Sequence, residues 1–121
     1  MLVSHSITIT TITGGTATAY LPKLNGKLLS IRYVKTDYAN GVDFTITGED
    51  TGENLWNDTN INASETVRPR MAVQNNAGAD ITYDGTRKIY EPYNLVDERI
   101  KIVIAQGGDA KVGTFYVLID Q

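Results

Sequence analysis

Fourteen carboxylates, one histidine and no cysteine bound the chemistry open to this 121-residue chain. The histidine, His5, sits between Ser4 and Ser6 in an N-terminal stretch expected to be flexible. Neighbouring residues on a strand point to opposite faces, so neither serine can meet that imidazole in a nucleophile–base pair. Without cysteine there is no disulfide and no thiolate metal site. Two carboxylates at the right separation can do the acid–base work of a glycosidase. None of the fourteen, however, is set among apolar neighbours that would raise its pKa. The run Asp58-Thr59-Asn60-Ile61-Asn62 starts like a calcium loop, with oxygen ligands at alternate positions. It then carries Ala63 where the loop needs Gly and Pro69 where it needs a bidentate Glu. A looser oxygen set of Asp50, Glu53 and Asp58 competes with the reading of these residues as solvated loop acids. Residues 107–113 hold glycines and a lysine, but without the spacing of a phosphate loop or the helix that must follow one. These residues call for no catalytic group, no cofactor and no required metal. The side chain that stands out is Trp56, an indole in a polar stretch, which could stack on a sugar, anchor a partner or fold back over one end of the core.

Charge is unevenly distributed. Residues 1–36 hold Lys23, Lys27, Arg32 and Lys35 and no acid, whereas residues 37–66 hold seven acids and no base. An acidic central third argues against wrapping a polyphosphate backbone, which needs clustered Lys and Arg. No run approaches the roughly 18 apolar residues of a membrane helix, and no basic and apolar leader precedes the first strand. The reading is a soluble chain with neither nucleic acid nor membrane as partner.

The elements that must position these residues are strands. Ile100, Ile102 and Ile104 alternate on one ribbon, and Phe115, Val117 and Ile119 on the next. They predict a mid-sheet hairpin, turned by residues 106–111, with both rows facing one core. A second hairpin is expected over residues 6–21 around Gly14-Gly15, with Ile7 and Ile9 on one face and Ile12 out of phase, so that its first strand ends near Thr10-Thr11. Its thin Thr- and Ala-rich arms suit a sheet edge or an extended assembly arm. Residues 27–35 predict an interior strand with Leu29, Ile31 and Tyr33 inward, and Val42, Phe44 and Ile46 an inward row ending at Gly48. Residues 49–64 read as a long polar loop with one brief strand at Leu55-Trp56. Pro69 interrupts the row Val67, Met71 and Val73. Asp84-Gly85 marks a short hairpin, and residues 94–98 are expected to make a helical turn. The tally is eight or nine short strands in an all-β, antiparallel two-sheet sandwich of jelly-roll kind. Residues 1–20 form its hairpin or arm and residues 21–121 its body.

Residues 41–52 (Gly-Val-Asp-Phe-Thr-Ile-Thr-Gly-Glu-Asp-Thr-Gly), 62–70 (Asn-Ala-Ser-Glu-Thr-Val-Arg-Pro-Arg), 98–108 and 113–115 resemble small virion proteins of tailed bacteriophages, in kind the head decoration or cement proteins. The resemblance runs in order over residues 26–119 and leaves residues 1–25 outside it. It implies a structural protein on the capsid exterior, made in the host cytoplasm, that ties neighbouring major capsid proteins together, often as a trimer. It implies no active site, with Arg68, Pro69 and Arg70 as structural or interface residues. Ile7, Ile9, Ile12 and Trp56 complete the expected interface. The alternatives are a carbohydrate-binding sandwich using Trp56 and loop tyrosines, and a small β-sandwich enzyme with converging acids in a pocket.

Overall fold

A computed structural model describes the chain from Met1 to Gln121 as ten strands with no helix. In order they are β1 (Leu2–Thr10), β2 (Ala17–Tyr20), β3 (Leu24–Lys35), β4 (Val42–Gly48), β5 (Asn54–Ile61), β6 (Glu65–Val67), β7 (Arg70–Ala72), β8 (Tyr90–Glu98), β9 (Ile100–Ala105) and β10 (Val112–Asp120). One sheet runs β1-β10-β3-β8-β7, with β6 also paired to β3; the other runs β2-β9-β4-β5. All pairings are antiparallel, and the two sheets pack face to face as a β-sandwich.

The period-two rows drive this arrangement. Ile100, Ile102 and Ile104 from β9, Phe44 and Ile46 from β4, and Phe115, Val117 and Ile119 from β10 are fully buried. Each contributes about 1.5–3 kcal/mol of transfer free energy. At one end of the core Tyr33, Phe44 and Phe115 meet with ring centroids 4.7 to 5.4 Å apart, a spacing at which edge-on contacts add to simple burial. Tyr38 stacks on Tyr33 and donates its hydroxyl hydrogen to the Ile9 carbonyl at 2.7 Å.

Neither long hairpin expected from the sequence forms. β9 pairs with β2 and β4 in one sheet, and β10 pairs with β1 and β3 in the other. Residues 106–111 are therefore an arch between sheets, with Gln106, Gly108 and Ala110 at positive φ. Residues 11–16 form a second arch, because β1 and β2 also lie in different sheets. The arches stack: Gly107 N donates to Gly15 O at 2.9 Å, Thr11 N to Lys111 O at 2.8 Å, and the buried Thr11 hydroxyl to Gly108 O at 2.5 Å. Gly15 is required there, since a Cβ would fall 2.9 Å from Gly108 N.

Three smaller expectations change. Half of the loop over residues 49–64 is the eight-residue edge strand β5, longer than the brief strand expected, in which Leu55 and Trp56 both turn inward. Residues 94–98 are the end of β8, not a helical turn, and β8 bends toward β9 with Asp97 at φ 48°. On β3 the register slips between Leu118 and Ile119 of its neighbour, so Leu28 takes the buried place expected of Leu29, while Ile31 and Tyr33 stay inward.

Candidate interaction edges

The β1 sheet has β1 and β7 at its ends and β6 as a further outer strand on β3, the other sheet has β2 and β5, and four of these five are guarded. β6 has three residues and ends just before Pro69. β2 is four residues long and stops before Pro22. β7 has three residues and follows Pro69. β5 is irregular against β4 in two places, with Asn60 at φ 56°. Short length, proline and bulges are the usual ways of keeping a strand from pairing with another molecule. β1 has none of them. It holds nine-residue register with β10 without a slip and contains no proline, lysine, arginine or carboxylate.

The expected interface residues do not form one patch. Of the three isoleucines, Ile9 is buried in the core, Ile7 packs half-buried against it, and Ile12, on the arch, is openly exposed at 65%. Trp56 lies on β5, in the other sheet from β1, and is 7% exposed. Its ring meets Phe44 edge-on at 5.4 Å, so it closes the core and cannot offer a stacking face. Pro69 is buried and parts β6, which pairs β3, from β7, which pairs β8. Arg68 and Arg70 are both exposed, and Arg70 donates through Nη1 to the Leu29 and Pro69 carbonyls.

His5 is not in a loose terminus. It sits mid-β1 opposite Val117, with a buried Nε2 that has no hydrogen-bond partner. The acids of the looser oxygen set stay apart in their interactions: Asp58 accepts from Thr59 N, Glu53 lines a cleft, and Asp50 belongs to the β4–β5 turn. No group of three or more His, Asp or Glu side chains converges to hold a metal ion. A shallow cleft of about 390 Å³, lined by Glu53, Met71, Ala72, Gln74 and Glu91, opens between β7 and the start of β5. It is drawn from three separated segments, which is why no sequence motif marks it.

Two polar features on the framework were not legible in the sequence. Glu98 is 2% exposed, and its Oε1 accepts from Asp50 N, Thr51 N and Thr51 Oγ1 at 2.8 to 3.1 Å. It clamps the β4–β5 turn onto the bend that carries the chain from one sheet to the other. Outside, Arg99 lies 4.2 Å over the Tyr20 ring and donates to both carboxylate oxygens of Glu49. Those hydrogen bonds hold the Glu49 pKa below and the Arg99 pKa above their ordinary values.

No protein-family model matches the chain, and comparison with curated proteins gives no match.

Proposed function

We propose that this chain is a structural assembly protein that binds the outer surface of a phage capsid and stabilises it by bridging major capsid proteins as a homo-oligomer. The observation that carries the assembly reading is β1, a nine-residue outer strand with no feature that guards it against pairing. The capsid as target rests on the resemblance of residues 26–119 to decoration proteins. A trimer built through β1 would need that strand to meet a different edge on the next copy, and the other outer strands are guarded. The carbohydrate reading loses Trp56, which is spent on the core, and keeps only exposed tyrosines such as Tyr83 and Tyr90.

Co-sedimentation with capsids that lack the protein tests this. The expected result is saturable binding at a fixed ratio to the major capsid protein, with a rise in the temperature at which the shells open. Absence of binding to shells of the encoding phage would remove the capsid reading.

A further inference from the structure

The direction of the free backbone groups on β1 carries an inference that stands whether or not a capsid is the target. Met1 and Gln121 exchange both backbone hydrogen bonds, and Thr11 N donates to Lys111 O. The register between them is unbroken, so the odd-numbered residues of β1 point their N–H and C=O groups at β10. The even-numbered residues, Leu2, Ser4, Ser6, Thr8 and Thr10, therefore point theirs away from the sheet at the open edge.

We infer that β1 pairs with β1 of a second copy, antiparallel about a two-fold axis through Ser6, joining the two β1-containing sheets into one. In that register Ser6 faces Ser6, Ser4 faces Thr8 and Leu2 faces Thr10. Every such pair is one whose free groups point across the seam, and each exchanges two hydrogen bonds. No other register uses all five.

The side chains agree with the backbone. On the outer face the seam sets hydroxyl against hydroxyl at its centre, a pairing already made within the chain by Thr8 and Thr114 at 3.1 Å. On the inner face it sets Val3 against Ile9 and His5 against Ile7. Ile7, Ala17 and Ala19 are apolar, only partly buried and packed on the core beside this edge, so a second copy would cover what they leave open. The strand carries no carboxylate, lysine or arginine, so self-pairing places no like side-chain charges opposite each other. With β2, β5, β6 and β7 short, irregular or flanked by proline, the best partner for this edge is the same edge on another copy, and that contact is isologous.

The full chain at micromolar concentration is the sample, and mass by light scattering is the first readout. A dimer is expected. Ser6→Lys, which sets two ammonium groups face to face at the axis, and Ser6→Pro, which removes an outward N–H without touching the β10 ladder, should both give monomers. Their melting should remain cooperative, which separates loss of pairing from loss of fold. Register is tested by single cysteines in this cysteine-free chain. Paired residues of this type have Cα atoms about 5.5 Å apart, within disulfide range. Ser6→Cys should cross-link to itself on mild oxidation, whereas Thr10→Cys, which faces Leu2 of the other copy, should not. A monomeric parent chain overturns the proposal, as does a trimer or a dimer that survives Ser6→Lys. Equal cross-linking of the two cysteine variants overturns the register.

Discussion

Gly113 lies directly beneath the ring of Tyr38, where a Cβ would collide with Cε2, Cδ2 and Cζ together. The absent side chain on β10 lets that ring reach across to the Ile9 carbonyl on β1. Gly113→Ala should therefore cost about 1–3 kcal/mol, the usual range for overpacking. A lowered urea midpoint at unchanged slope would show it, and an unchanged midpoint would mean the ring is free to move.

The two buried tyrosines at this end should respond oppositely to loss of their hydroxyl groups. Tyr38→Phe gives up the bond to Ile9 and should lose about 1 kcal/mol. The Tyr33 hydroxyl is buried without a partner, so Tyr33→Phe should be neutral or stabilising. Equal losses in denaturant unfolding would refute the distinction.

Alkaline pH should act through the same pair. Burial, helped by the nearby Asp37 charge, pushes the Tyr33 pKa up to about 12, and burial together with Tyr33 raises that of Tyr38 further. Unfolded tyrosines ionise near pH ~10, so below that both forms of the chain hold these protons and stability is unaffected. As pH rises from there toward the native values, the unfolded state alone releases them and stability falls. Urea midpoints measured across this window should decline, and less steeply in Tyr33→Phe.

Glu98 gives the clearest test of the clamp between sheets. Glu98→Ala would leave the Asp50 and Thr51 N–H groups without their acceptor, at a cost of about 2–3 kcal/mol. Hydrogen exchange should quicken in residues 49–53 ahead of the rest of β4 and β5. Uniform exchange across the sheet would argue against a local clamp.

The inward rows of β4, β9 and β10 were legible because period-two alternation marks which side of a strand meets the core. Partnership was not legible. An arch and a hairpin present the same alternation, since in either case both strands turn their apolar rows to one interior. What decides between them for residues 106–111 is backbone at positive φ on Gln106 and Ala110, residue types that do not advertise it. The end of β1 near Thr10 was readable from the phase of Ile12, and the break at Pro69 from its missing N–H. The exchange of Leu28 for Leu29 was hidden, because a bulge is fixed by the neighbouring strand. Of the roles open to Trp56, folding back over the core is the one taken: β5 turns it inward together with Leu55 and leaves the polar Asn54 and Asn57 outside.

The pairing of β1 with β10 also governs the order in which the chain can be finished. β10 is translated after every other strand of the sandwich, and it is the only bridge between β1 and β3. Until it emerges, the first strand made lacks its one partner, and both of its flanks are bare. The sandwich therefore cannot condense progressively from its amino end. It must hold an unpaired, β-prone segment through synthesis and close its largest sheet last, which favours slow folding and gives newly made copies an interval in which to find each other through that segment.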